Sequence, residues 1–494
     1  MDPRTPVIVG AGQVTNRRER IVDPMTLMDE AVHLADADAG GAALKRVQSV
    51  QVLSVVSRRY SASASELASR LGLDGVERIS TTVGGSTPQW LVCEACDRIA
   101  RGEIDGVLIA GAEALDSARR AAKEGLALEQ ASESPDEDTT IGDDRPPVNN
   151  AEIRAGVVAP ATIYPMFEQA LAARDGRTPD EQRVWLGELM SKFTEVAASH
   201  PDLAWFPTVR DASFLTDVSP DNRMIAEPYT KNLNSILQVD MSAALLLLSA
   251  EAAEAARVPR EKWIFPWAGA KCDDVYLTVQ RPDLTKALGI EAAAVAAFSA
   301  AGVGIDDVSF FDFYSCFPSA VQMGAAALRV SLDDPRGLTV TGGLPSFGGP
   351  GNNYMTHSIA TMASRLRGTD GALGVTTGIS WYMSKHSIGI YGSEPPRSGW
   401  RYADTKQDQA RIDATAMPTA PDADGDAVVD AFTVEHDREH GPVRAPIYAT
   451  LVDGRRLVAI PADASIPSAL SGRSIVGETV RVRTGEGGTV YELS

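Results

Sequence analysis

The stretch Thr341 to Ser358, TGGLPSFGGPGNNYMTHS, holds five glycines, two prolines and two adjacent asparagines in eighteen residues. Glycine reaches positive φ and lets a ligand come close to the backbone. A helix that starts at such a loop aims unpaired N–H groups and a partial positive charge at its occupant. An anion or a developing oxyanion suits that place. Gly349, Asn352, Asn353, Tyr354 and His357 belong to this loop. Its asparagines either orient a carbonyl or a water, or cap the helix. Three further stretches point to the same place: TTVGGS with Val83 and Gly84, FYSCFPSAV with Tyr314 and Cys316, and TTGISWYMSKHS with Gly378 and His386. Backbone N–H groups near Val83 and Gly378 suffice for an oxyanion hole, because backbone donors need no particular side chain. Cys316 is read as a nucleophile or as a packing residue. Tyr314 and Tyr354 are read as a general acid–base pair or as walls of a pocket. His386 either lines that pocket or is a hydrogen-bonded structural histidine.

The elements that must position these residues alternate. PVIVGA is a short buried strand, Met25 to Ala37 a helix, Val47 to Val56 a strand, Ser65 to Leu71 a helix and Val76 to Val83 a strand. A helix follows VGGS with Pro88 in its first turn, then the buried strand GVLIAGA. Strands alternating with helices indicate an α/β unit with a mostly parallel sheet. Leu115 to about Val239 interrupts this pattern as a largely helical insertion folding over the sheet. Within it SESPDEDTTIGDDRPP is an acidic surface loop. The pattern returns in strand Val308 to Phe313, helix Ala320 to Leu328, strand Gly337 to Thr341, helix Tyr354 to Leu366 and strand Ala372 to Thr377. Pro395 to Ala423 is a linker. Five short alternating strands between Val428 and Leu493, with turn signals at regular spacing, give a small antiparallel barrel.

Bulk properties limit the function. The chain has 494 residues, is 44% hydrophobic and carries a net charge of −20, which argues against nucleic acid and anionic membrane. The basic residues are 37 Arg against 9 Lys. A local basic pocket still admits an anionic ligand. Four cysteines form no disulfide framework in so long a chain, so a reducing cytoplasm is expected. Cys93 and Cys96 lie in an apolar helix and read as core packing rather than a metal or redox pair. No metal site, signal peptide or membrane span is expected.

Several motifs resemble the thiolase superfamily over roughly residues 5 to 393. NRMIAEPYTK followed by VDMSAALLLLS resembles the segment joining loop domain to core in sterol-carrier-type thiolases. FYSCFPSAV sits where those enzymes have His-Asp-Cys-Phe, GGLPSFGGPGNNY where they have Gly-His-Pro, and TTGISWYMSKHS near their Cys-x-Gly. With its extra barrel, the chain is similar to thiolase-like proteins of type one. The resemblance implies an α/β thiolase fold of two βαβαβαββ halves in five layers, with a helical loop domain and an OB-like C-terminal barrel. The implied division is 1–115 and 240–270 for the first half, 116–239 for the loop domain, 271–395 for the second half, 396–425 for a linker and 426–494 for the barrel. It implies acyl-CoA or CoA as ligand, no cofactor beyond coenzyme A as part of the substrate, and a homodimer or a monomer. By the same alignment, Val83 takes the place of the nucleophilic cysteine and Gly349 that of the Gly-His-Pro histidine. Thr377 falls near the acid–base cysteine, and Tyr314 replaces the remaining histidine. Standard thiolysis is therefore not expected. The tyrosine pair resembles a steroid side-chain retro-aldolase branch of the superfamily. The functions implied are an acyltransferase-like or retro-aldol enzyme on a bulky acyl-CoA, or a non-catalytic acyl-CoA or lipid binder.

Overall fold

The computed structural model describes residues 1–126 and 137–493. Two sheets sandwich a central pair of helices. Among the described residues the first sheet has six strands in the order Pro6–Thr15, Asp240–Ser249, Gly106–Ala114, Ser49–Val52, Glu77–Thr81, Thr139–Ile141. All ten residues of Asp240–Ser249 are buried. Its run DMSAALLLLS is apolar on both faces because helices lie above and below. The second sheet runs Phe310–Asp312, Leu373–Ser380, Lys385–Gly392, Phe265–Asp273, Arg401–Tyr402.

Helices Thr87–Ala100 and Tyr354–Arg367 fill the layer between the sheets and pack against strands of both. Leu91, Cys93, Cys96 and Ile99 from the first meet Ile359, Met362 and Leu366 from the second, with Leu245 and Leu247 beneath. Both cysteines are fully packed and free. Helix Pro24–Asp38 covers the outer face of the first sheet, with Asp23 capping it through Met25 N–H at 2.9 Å. Gly12 makes this packing close, because a Cβ there would overlap the Ala31 carbonyl. Helix Leu288–Ala301 covers the second sheet. The result is the five-layered α/β fold expected from the motifs.

Three stretches differ from their sequence reading. Gly337–Thr341 forms no ladder. Instead the buried Asp312 carboxylate accepts from Thr339 O–H at 2.7 Å, Val340 N–H at 2.9 Å and Thr341 N–H at 3.3 Å. One carboxylate thus stands in for a strand partner, which periodicity does not reveal. The composition of the acidic stretch 132–147 predicts a surface loop. Its first residues lie outside the described ones, but Thr139–Ile141 is a strand parallel to Ile79–Thr81. Asp138 holds it there by accepting from Ala64 N–H at 2.8 Å and Ser65 N–H at 3.0 Å at a helix start. The connector after residue 395 contains an edge strand, Arg401–Tyr402, and a helix, Lys406–Asp413, both packed on the second sheet.

The C-terminal barrel is closed by five strands in the order Gly425–Phe432, Ile447–Leu451, Arg456–Pro461, Gly488–Leu493, Thr479–Gly485. Four pairings are antiparallel; a short parallel pairing of Ile460–Pro461 with Val490–Tyr491 completes the ring. A hairpin of this region, Glu435–His436 and Pro442–Arg444, adds to strands Met224–Ala226 and Tyr229–Thr230 of the insertion, giving a shared four-stranded sheet. Glu227 is the hub of that junction. Its carboxylate meets His436 Nε2 at 3.0 Å and accepts from Gly472 N–H at 2.9 Å and from the Ser471 hydroxyl. Burial pushes the Glu227 carboxyl up, and the bonds from His436, Gly472 and Ser471 more than offset this and hold it below the ordinary glutamate value of 4.5.

A depressed carboxylate stabilises the junction above its unfolded pKa and loses that contribution as pH falls through the folded value. Glu227→Ala should cost about 3 kcal/mol, because buried donors lose a charged acceptor. Hydrogen exchange should then show the barrel strands opening more readily while the two sheets keep their protection, with the same loosening in the native chain below pH 4.5. Unchanged barrel protection in Glu227→Ala would remove this junction as the anchor.

Candidate functional site

The turn after strand Glu77–Thr81, the loop after Phe310–Asp312, the glycine loop and the turn after Leu373–Ser380 converge on one cleft of about 1220 Å³. From these core loops come Val83, Gly84, Gly85, Tyr314, Cys316, Phe317, Gly351, Asn352, Ile379 and Trp381. The insertion supplies aromatic walls in Tyr164, Trp205, Phe206 and Phe214. The cleft is also lined by five cationic side chains, Arg18, Arg119, Arg210, Lys231 and Arg438, against three carboxylates, Asp211, Asp217 and Asp221. The last arginine comes from the barrel's hairpin loop. A chain of charge −20 therefore turns a locally positive face to this cleft.

Of the residues singled out in the sequence, Val83, Gly84, Tyr314, Cys316 and Asn352 line the cleft. Val83 is 39% exposed, uncommon for a valine amid so much core. Tyr314 packs its hydroxyl against Gly85, where a Cβ would overlap it. Burial pushes the Tyr314 phenol well above its ordinary value, as does the neighbouring Cys316 thiol. A phenol so placed is neutral at pH 7 and acts as a hydrogen-bond donor, not a base. Burial likewise pushes the Cys316 thiol up to about 12, with the Tyr164 hydroxyl beside it. The thiol form prevails at neutral pH, so the site does not activate it.

Asn352 clasps the two halves. Its Oδ1 accepts the Gly84 N–H at 2.8 Å and its Nδ2 donates to the Ser54 carbonyl at 2.7 Å. The Gly84 N–H is thereby committed, which corrects its expected place among oxyanion donors. Gly378 lies within a strand opposite Ser387, with Ser86 and Ser387 filling the space beside it, and does not line the cleft. Asn353 makes no cap bond; its Nδ2 donates to the Gly111 carbonyl at 2.6 Å. At Gly349 a Cβ would come 2.5 Å from Ser235 Oγ and 3.1 Å from the Ile236 carbonyl. The insertion thus occupies the space into which a side chain at 349 would project.

The remaining candidates are set back. Tyr354 contacts Tyr314 edge-on, with ring centroids 5.4 Å apart, but is fully buried. Its hydroxyl pairs with that of Thr341 at 2.7 Å and lies 3.4 Å from Asp312. Burial and the Asp312 charge push its phenol far up. His357 pairs Nδ1 with Gln13 Oε1 at 2.8 Å, and burial drops it to about 3, so it is neutral. His386 faces a separate cleft of about 680 Å³ rather than the expected one. Its Nε2 lies 2.9 Å from the Met383 carbonyl and 3.5 Å from Asp274.

Tyr164 and Trp381 were not anticipated. Trp381 and Met383 hold φ of 55° and 58°, a region costly for large side chains. Tyr164 braces that turn by donating to the Trp381 carbonyl at 2.8 Å and accepting from Met383 N–H at 3.3 Å. The only sequence signal was the density of aromatics in SWYM. The cations of the insertion gave no signal, because isolated arginines look alike in a sequence holding 37 of them.

A family model described as the thiolase-like protein type 1 additional C-terminal domain matches residues 409–487. The crystal structure of a monomeric SCP2-thiolase-like protein type 1 from Mycobacterium smegmatis is 32% identical, with all of both chains covered and a TM-score of 0.86. Two more distant structures share the fold. The dimeric peroxisomal thiolase of Saccharomyces cerevisiae is 15% identical over 80% of this chain and 98% of its own, with a TM-score of 0.57. An Ltp2–ChsH2(DUF35) aldolase is 17% identical over 79% of this chain and 98% of its own, with a TM-score of 0.59. No curated protein matches the chain.

Two outcomes test this geometry. Asn352→Ala leaves the buried Gly84 N–H and the half-buried Ser54 carbonyl unpaired and should cost about 2–4 kcal/mol in denaturant unfolding; a loss within error of zero would mean the clasp is absent. Cys316, with its thiol near 12, should react with iodoacetamide at pH 8 roughly a thousandfold more slowly than free cysteine, and faster as pH rises. Peptide mapping reads the site. Rapid labelling at pH 7 would show an activated thiolate.

Proposed function

The chain belongs to the SCP2-thiolase-like proteins of type 1, and from that premise we propose that it handles acyl-CoA thioesters with a bulky acyl group. The observation that carries this reading is the cleft of about 1220 Å³, with aromatic walls, a surplus of cationic side chains and Tyr314 with Val83–Gly85 among its lining residues. Apolar walls suit a large acyl chain, and the cations suit the phosphates of coenzyme A. The Tyr314 hydroxyl, neutral at pH 7, suits a donor to the thioester carbonyl or to a β-hydroxyl. Tyr354 supports Tyr314 from behind rather than meeting the ligand.

Thiolysis or Claisen condensation needs a nucleophilic thiolate and a base beside it. Val83 has neither a thiol nor a proton to give, and the crowding at Gly349 argues against any base projecting from that position. The proposed protein is therefore not a standard acetyl-CoA acetyltransferase. C–C cleavage of a 3-hydroxyacyl-CoA stays within the reading: the 3-hydroxyl proton passes to solvent water as the C2–C3 bond breaks to a carbonyl compound and a thioester enolate, Tyr314 donates a hydrogen bond to the enolate oxygen, and C2 takes a proton from water. A second reading, a non-catalytic acyl-CoA or lipid carrier, is favoured by one feature: Tyr314, Cys316 and His357 are all held neutral at pH 7 by burial. For an acyl-CoA ligand coenzyme A is part of that ligand, and no other cofactor is invoked. A monomer is proposed, because Thr139–Ile141 of the same chain covers the outer edge of strand Glu77–Thr81.

Calorimetric titration should show micromolar binding of a long-chain or steroid-like acyl-CoA and weaker binding of CoA. Tyr314→Phe should weaken the acyl thioester about fivefold to twentyfold, the worth of one buried hydrogen bond, with CoA little changed. Absence of binding at millimolar CoA and acyl-CoA would end the reading. Cleavage of a 3-hydroxyacyl-CoA abolished by Tyr314→Phe would decide for the enzyme; undiminished cleavage would remove Tyr314 from the chemistry.

A further inference from the structure

A wholly buried carboxylate stands near the cleft with three arginines around it. Asp116 opens helix Leu115–Glu124 and has no side-chain exposure. Its oxygens lie 3.1 Å from Arg120, 3.4 Å from Arg18 and 3.5 Å from Arg119. None of these contacts has hydrogen-bond geometry, and among the described residues both Asp116 oxygens lack a hydrogen-bond partner. The guanidinium groups are thus gathered by charge without spending their directed donors on the acid.

The three arginines differ in role. Arg120 turns inward, donating to the carbonyls of Arg18 at 3.3 Å and Arg20 at 2.6 Å. It therefore pins the backbone at Arg18, which holds a left-handed φ of 68°. Arg18 and Arg119 line the cleft with 61% and 57% of their side chains exposed. A second acid, Asp240, lies 4.0 Å from Arg120 and is hydrogen-bonded by Ser117. Among the described residues here, three cations against two buried carboxylates leave a positive surplus, and the two exposed forks carry it. Planar guanidinium forks bind phosphate oxygens in pairs, and paired charged bonds are the strong ones.

We propose that Arg18 and Arg119 form a phosphate subsite of the cleft that takes the ribose 3′-phosphate of a CoA thioester, with Asp116 as the positioning residue. The proposal rests on the acyl-CoA reading and assigns the end of the molecule remote from the thioester. A phosphate monoester carries nearly two charges at neutral pH, so it gains more from a double fork than a diphosphate ester oxygen does.

Calorimetric titration of the full chain with CoA, 3′-dephospho-CoA and pantetheine tests it. The native chain should prefer CoA over 3′-dephospho-CoA by about tenfold or more, the worth of a charge-assisted pair. In Arg18→Ala and Arg119→Ala that preference should fall to within about twofold, with pantetheine binding unchanged. Arg119→Lys, which keeps the charge and loses the fork, should fall between. Asp116→Asn should lower the CoA preference while sparing pantetheine; an equal loss for all three ligands would make Asp116 merely structural and overturn its positioning role. Thermal melting of each variant separates misfolding from lost recognition. A native chain that binds CoA and 3′-dephospho-CoA alike, or arginine variants that keep the native preference, would overturn the subsite and leave the acyl-CoA reading standing. Failure of the native chain to bind CoA, 3′-dephospho-CoA and acyl-CoA would overturn both.

Discussion

The buried amide of Asn352 joins the two halves of the fold where the cleft lies. It takes the N–H of Gly84 and gives its own to the carbonyl of Ser54, both from the first half, while standing at the end of the glycine loop of the second. Behind it, Asp312 gathers the start of that loop through Thr339, Val340 and Thr341. A loop of five glycines has much freedom to lose on ordering. Two satisfied side chains hold it in one course, and that course brings Gly351 and Asn352 beside Val83 and Tyr314 in the cleft wall.

The cleft is consequently quiet in acid–base terms. Tyr314, Tyr354, Cys316 and His357 are the groups that would be asked to move protons, and burial holds each in its neutral form at pH 7. Meanwhile the insertion and the barrel shape the cleft mouth. The insertion contributes aromatic walls and crowds the space at Gly349, and the barrel's hairpin brings Arg438 to it. Their shared four-stranded sheet, locked by Glu227, makes the barrel part of the cleft's frame rather than an appendage.

Much of the fold was legible in particular residues. PVIVGA and GVLIAGA read as buried strands and flank Asp240–Ser249 in the sheet, and the regular turn spacing after Val428 reads as a barrel. The convergence of the stretches near residues 84, 315, 350 and 380 was legible too, because glycine loops between strands and helices cluster at one end of an α/β sheet. Less legible was Gly337–Thr341, whose pattern reads as a strand but whose partner is a carboxylate. Thr139–Ile141 was hidden in an acidic stretch, since its place depends on Asp138 reaching a helix start distant in the chain.

What the chain's own order of residues determined was the alternation of strands and helices, the position of the glycine loops and the identity of the groups beside them, because period and backbone freedom are local properties. What only the folded arrangement decided was direction. Tyr314 faces the cleft while Tyr354 lies behind it, His386 opens onto another cavity, and Gly84 spends its N–H on Asn352. The approach of Arg18 to Asp116, which already has Arg119 and Arg120 three and four residues on along its own helix, was likewise decided there. Contacts such as Gly84 N–H to Asn352, between segments 268 residues apart, are directional and leave no period in a sequence.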